Sequence, residues 1–164
     1  MIEIRNMTSN DWKDVARIYD MGIATGHATF ETETPSWEAW NNSHIKECRL
    51  IATENNQIVG WAALSAVSSR CVYGGVAEVS LYVDTGCTGK GIGTKLLKSM
   101  IEESEQEGFW TLQSGIFPEN IASLNIHKKL GFRIIGIKEK IGKMNGMWRD
   151  NTLLERRSKI VGIN

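Results

Sequence analysis

The chain has little that would tie it to a charged polymer, a membrane or an oxidising compartment. Lys and Arg number 19 and so do Asp and Glu, so no net charge draws it toward nucleic acid or an anionic lipid surface, and any anion site has to be local. No apolar run approaches the roughly 20 residues of a membrane span. Met1 to Arg5 is charged and alternating where a secretion signal would be apolar. Cys48, Cys71 and Cys87 are odd in number and lack metal-ligand spacing, which points to reduced thiols in a cytoplasm rather than a disulfide framework, and no metal is implied. What is present is ordinary for a globular protein: 41% hydrophobic and 23% charged residues over 164 positions, enough for one domain with its own core. That domain is expected over residues 1–157, with a loose tail at 158–164. Three of the six tryptophans, Trp12, Trp37 and Trp40, fall in the first quarter, where they suit helix packing.

The most informative stretch is Ala77 to Leu97, where an apolar strand runs through a glycine-rich turn into an amphipathic helix. Gly89, Gly91 and Gly93 are expected to allow φ > 0 and to leave no side chains between backbone N–H groups and a ligand. The helix that follows starts with unpaired donors and the positive end of its dipole, so the turn reads as a cradle for phosphate or pyrophosphate. Two common cradles are excluded. A Walker A loop needs four residues between its first Gly and the Gly-Lys pair, whereas only Cys87 and Thr88 separate Gly86 from Gly89; a dinucleotide fingerprint needs Gly where Thr94 stands.

Ile2, Ile4 and Met7 alternate as a first strand. Trp12, Val15, Ala16 and Tyr19 then mark one face of a helix that begins near Ser9 or Asn10. Gly22 to Glu33 reads as a loop, and Thr34-Pro35 as the start of a second helix that ends near Cys48. Leu50 to Glu54 and Ile58 to Leu64 form a hairpin around Asn55-Asn56-Gln57, and Ser65 to Gly75 is a further loop. Past the central strand, Ile92, Leu96, Leu97, Met100, Ile101 and Ser104 make a buried helical stripe that Gly108 ends. Trp110 to Phe117 is a strand, Pro118-Glu119-Asn120 opens a helix with Ala122, Ile126 and Leu130 inward, and Gly131 closes it. Phe132 to Lys140 and Met147 to Arg156 pair around Gly142 to Gly146. The order β α α β β β α β α β β, with one parallel crossover, defines an α+β domain with a mixed sheet.

Several local motifs coincide with that order: Glu78-Val-Ser-Leu-Tyr-Val83, Gly89-Lys-Gly-Ile-Gly93, Asn120-Ile-Ala-Ser-Leu-Asn-Ile-His127, Leu130-Gly-Phe132 and Gly146-Met-Trp-Arg-Asp150. Together they resemble the GNAT superfamily of N-acetyltransferases, in particular the group that acetylates phosphinothricin, methionine sulfone and methionine sulfoximine. The resemblance runs over roughly residues 2 to 157. It implies a mostly antiparallel sheet of about seven strands with about four helices packed on it. It also implies acetyl-CoA as co-substrate, a small amine acceptor attacked in a ternary complex, and a homodimer.

By the same resemblance, Gly89, Lys90, Gly91, Ile92, Gly93 and Thr94 hold the pyrophosphate. Thr88 stands where the superfamily usually has Arg or Gln, and Lys90 is a substitute for that charge. The backbone of Leu81, Tyr82 and Val83 is expected to pair with the pantetheine arm and to polarise the thioester carbonyl, and Asn120 and Ser123 to contact the arm. Glu78, in an otherwise apolar strand, is either an outward-facing solvated residue or a base; the resemblance makes it the general base that takes the ammonium proton. His127 is either a satisfied helix histidine or an acid/base toward the departing thiolate. Phe30 and Glu31 match the substrate loop, and Arg70 with Tyr73 the second wall, where Arg suits a carboxylate or phosphinate. His27 and His44 read as incidental and Cys87 as a free thiol. Protein N-termini, polyamines and aminoglycosides are alternative acceptors, and a non-catalytic acyl-CoA sensor is the alternative of another class.

Overall fold

Alternating side chains decide how the sheet is built. The computed structural model describes residues 1–164. In chain order its elements are β1 (Ile2–Asn6), α1 (Trp12–Thr25), α2 (Trp37–Ser43), β2 (Leu50–Glu54), β3 (Gln57–Ala66), β4 (Val76–Val83), α3 (Ile92–Gln106), β5 (Thr111–Ile116), α4 (Ile121–Lys129), β6 (Arg133–Met144) and β7 (Met147–Arg157). The seven strands form one sheet in the order β1-β2-β3-β4-β5-β7-β6, and only β4 and β5 run parallel. This is the expected α+β architecture. No helix is long and apolar enough to cross a membrane.

Two cores lie on opposite faces of the sheet. On one face Ala77, Val79, Leu81 and Val83 of β4 join Ile92, Leu96, Leu97 and Met100 of α3 and Leu124 of α4. On the other, Tyr82 of β4 and Trp61 and Ala63 of β3 pack under Val15, Ile18 and Tyr19 of α1 and Trp40 of α2. By alternation Glu78, Ser80 and Tyr82 share the face covered by α1 and α2. The register places Ser65 opposite Glu78 and Trp61 opposite Tyr82.

Several local expectations are corrected. Gly22 lies inside α1, because a Cβ there would come within 2.7 Å of the Tyr82 ring; the helix ends at Gly26, with φ +75°. A 3₁₀ turn at Ser9–Asp11 precedes it. The second helix is capped by Ser36, whose hydroxyl accepts from Ala39 N–H at 3.2 Å, rather than by Thr34. It stops at Ser43 and not near Cys48, since Ile45 N–H is drawn to the Leu64 carbonyl at 2.8 Å and the chain joins the sheet. In α4 the buried positions are Leu124 and His127, while Ala122 is exposed. The β2–β3 hairpin turns on Asn55 and Asn56 alone, both with positive φ, and β6 continues through Gly142 to Met144 before a turn at Asn145-Gly146. Gly93 needs no positive φ; it is a helical residue whose Cβ would press on Ile126 at 3.0 Å, so it lets α3 approach α4. Beyond Arg157 the chain folds back, with the Arg157 guanidinium donating to the carbonyls of Val161 and Gly162 at 2.8 and 2.6 Å.

Candidate active site

Parallel pairing between β4 and β5 is confined to Val76–Glu78 against Thr111–Gln113. From Val79 onward β4 keeps β3 on one side and has no paired strand on the other. A cavity of about 480 Å³ opens in this gap. Its walls come from both faces of the sheet: Tyr19, Phe30, Glu31, Trp40 and His44 on the α1/α2 side, and Asn120, Ser123 and His127 on the α4 side. Glu78 stands where the strands part. Its side chain is open to solvent yet enclosed on several sides; this desolvation pushes its pKa above the ordinary glutamate value, against a downward pull from Lys138.

His127 is 2% exposed and packs edge-on against Phe132 at 4.9 Å. Its Nδ1 lies 2.7 Å from the Ser123 carbonyl, which can only accept, so Nδ1 carries the proton and Nε2 keeps its lone pair. Burial lowers its pKa, opposed by that hydrogen bond, and favours the neutral ring.

The remaining expected residues divide. Leu81 and Tyr82 line the cavity, as do Phe30 and Glu31, whereas Val83 faces the α3 core. The Tyr82 ring is stacked between Tyr19 at 5.0 Å and Trp61 at 4.7 Å, which leaves its backbone as the part available to a ligand. Gly89 and Gly91 have φ of +81° and +76°, and a Cβ at either would meet nothing within 4 Å, so the turn is open. The first N–H groups of α3, around Ile92, Gly93 and Thr94, have no partners within the helix. The Lys90 ammonium is already paired with the Glu54 carboxylate at 2.8 Å. Asn120 caps α4, its Oδ1 accepting from Ser123 N–H at 3.3 Å. Arg70 and Tyr73 do not reach the cavity: both are exposed, with the guanidinium 5.7 Å from the Tyr73 ring.

The cavity also contains groups that sequence reasoning missed. His44 stacks on Trp40 at 4.3 Å, and its Nδ1 donates to the Trp40 carbonyl at 2.8 Å. Ser65 faces Glu78 across the strand pair. Ser114 Oγ is a buried hydroxyl of the wall with no hydrogen-bond partner. Only the i, i+4 spacing of Trp40 and His44 was visible beforehand.

A split sheet with an open glycine turn at the head of the next helix is the frame of an acyl-CoA-dependent transferase. Residues 9–132 match the acetyltransferase (GNAT) family, and the chain belongs to it. It is an acetyl-CoA-dependent N-acetyltransferase. It is 30% identical to the phosphinothricin N-acetyltransferase of Streptomyces coelicolor, over 94% of this chain and 95% of that one. It is 27% identical to the L-methionine sulfoximine/L-methionine sulfone acetyltransferase of Pseudomonas aeruginosa, over 93% and 92%. A crystal structure of a GNAT superfamily phosphinothricin acetyltransferase from Sinorhizobium meliloti in complex with acetyl-CoA superposes with a TM-score of 0.90, at 26% identity over 99% of this chain and 91% of that one.

Proposed function

We propose that the protein acetylates the amino group of a small amino-acid-like molecule of the phosphinothricin, methionine sulfone or methionine sulfoximine type, by direct attack in a ternary complex. The observation that carries the reading is the charge of the cavity. Glu31 and Glu78 are its ionisable acids, and neither Lys nor Arg lines it, so it favours an ammonium ion beside a carboxylate of raised pKa. The relatives named for such substrates match nearly the whole chain, which supports the amino-acid class.

Acetyl-CoA supplies an activated thioester, and the residues present suit its shape. The open turn at Gly89 and Gly91 and the start of α3 suit the pyrophosphate, with Lys90 once released from Glu54. The unpaired edge of β4 after Glu78, Asn120, Ser123 and the unsatisfied Ser114 Oγ suit the arm. Glu78 takes a proton from the substrate ammonium, directly or through water, and frees the nitrogen lone pair. A backbone N–H of the β4 edge serves as the oxyanion donor. Nε2 of His127, held with its lone pair free, accepts the proton that the nitrogen sheds on attack and passes it toward the leaving sulfur. No cysteine lines the cavity, which accords with transfer without an acetyl-enzyme. A carboxylate on the substrate is left to hydroxyl and backbone donors within the cavity, since Arg70 and Tyr73 do not reach it.

Thiol release from acetyl-CoA, measured against amino-acid analogues, peptides, polyamines and aminoglycosides, tests this. Turnover is expected for the amino-acid analogues; turnover confined to another group moves the substrate class there.

The assembly we infer is a homodimer through the β6–β7 hairpin in the cytoplasm. Ile134, Ile135, Ile137, Ile141, Met147 and Trp148 are all exposed on an edge hairpin, an apolar surface that a second copy would cover. Sedimentation should give twice the 18.3 kDa chain mass, and the double variant Ile137→Asp, Ile141→Asp should sediment as a monomer. A wild-type monomer at micromolar concentration rules the dimer out.

A further inference from the structure

The loop that walls the amine side of the cavity is fastened at one rung of the edge hairpin. Gly142 of β6 and Arg149 of β7 are cross-strand partners. Arg149 lies within the Gly146 to Asp150 motif, to which the chemistry above assigns nothing. Its side chain is 12% exposed, and its guanidinium sits 4.2 Å from the centre of the Phe117 ring. Nη1 donates to the Gly26 carbonyl at 2.9 Å, while Nη2 reaches His27 Nδ1 at 3.2 Å and the Glu119 carboxylate at 3.3 Å. Asn120 Nδ2 completes the attachment, donating to the His27 carbonyl at 3.3 Å.

Gly142 provides the second point of attachment. A Cβ there would fall 2.7 Å from Phe30 Cε1, so the ring rests on bare backbone, with its edge against Phe117 at 4.7 Å. Phe30 and Phe117 both line the cavity, as do Ala28, Thr29 and Glu31. The segment between the two attachments has few bonds of its own; Glu31 N–H to Thr29 Oγ1, at 3.1 Å, is one.

We infer that Arg149 is a positioning residue, which with Gly142 fixes the 26–31 segment against the β5–α4 corner and so sets the shape of the amine site. It touches none of the reacting groups; it acts through Gly26, His27 and Phe117. Three donors and a cation over a ring locate a loop start more rigidly than a lysine could, because the planar fork serves several acceptors at once. The inference rests on the reading of this cavity as the amine site, and its test separates the two.

Arg149→Met keeps the apolar stem over Phe117 and removes the donors; Arg149→Lys keeps the charge. Arg149→Met is expected to raise the KM for the amine about tenfold, since its three hydrogen bonds hold the wall and not the amine and only part of their loss reaches binding, while leaving kcat and the acetyl-CoA Kd within about twofold. Arg149→Lys should recover part of that change. Gly142→Val, which drives Phe30 off the hairpin, should reproduce it from the other strand. Hydrogen exchange supplies a readout independent of turnover: amides of residues 26–31 should exchange faster in Arg149→Met, with those of α3 unchanged. If the wild type acetylates no amine, the reading of the site fails while the exchange comparison still decides the attachment. Unchanged exchange over 26–31 overturns the inference, as does faster exchange with an unchanged KM. A uniform loss of protection that Arg149→Lys does not relieve also overturns it, since the residue would then serve general stability.

Discussion

Glu78→Gln is expected to lower kcat by about 10² to 10³-fold at neutral pH, within the range that general-base assistance supplies. The substitution keeps size and hydrogen-bonding reach and removes the negative charge together with the ability to take a proton. Acetyl-CoA affinity should stay within about twofold, because Glu78 sits where β4 leaves β5, on the α1/α2 face, away from the glycine turn. The pH profile carries the sharper test. Desolvation raises the Glu78 pKa, so the carboxylate becomes a competent base only above the ordinary glutamate range, and wild-type kcat/KM should climb with pH through that raised value. The same raised pKa means that the ionised form is less favoured in the folded than in the unfolded chain. Stability contributed by the protonated form is present below the unfolded value and is lost as pH rises through the folded one, so Glu78→Gln should remove a small destabilisation at neutral pH. A variant with low kcat and the wild-type acid limb would assign that limb to another group. One with unchanged kcat would remove Glu78 from the chemistry.

Much of this site was legible because its parts are local in sequence. The glycine turn and the closing Gly131 are set by backbone conformations that few residues adopt, with φ positive at Gly89, Gly91 and Gly131, and the start of α4 by the side chain of Asn120. The stripe of α3 was legible too, since its 3.6-residue period continues over four turns against one core. Short α4 carries too few turns to define a face, and there packing turned Leu124 and His127 inward instead of Ala122. Long-range convergence was not legible. His44 is brought to the cavity by the stitch of Ile45 to Leu64, and Ser65 by a strand register that composition does not encode. The pairing of Lys90 with Glu54, 36 positions earlier, was hidden for the same reason. Gly22 illustrates the converse: a residue that reads as a helix breaker is retained within α1 because an aromatic ring occupies the space of its side chain.

The glycine turn is the place where a single branched side chain should cost the most affinity for the co-substrate. Gly91 is the N-cap of α3 with φ +76°, a conformation that strains a β-branched residue by about 1–2 kcal/mol. A Cβ at Gly91 meets nothing within 4 Å, so the protein itself leaves room for it, and a side chain at this N-cap adjoins the first N–H groups of α3. Gly91→Val should therefore fold with a modestly lower Tm, by roughly 2–8 °C for such a strain in a chain of this size. Its Kd for acetyl-CoA should rise at least about tenfold, as expected when a branched side chain blocks backbone donors from a phosphate. Gly93→Val acts elsewhere: its Cβ presses on Ile126 at 3.0 Å, so its chief effect should be on the α3–α4 contact and hence on stability. Isothermal titration of both variants with acetyl-CoA, alongside thermal melts, separates the two. Equal affinity in Gly91→Val and wild type would place the pyrophosphate away from this turn. A loss of affinity tracking the loss of Tm across both variants would make the turn a structural element only.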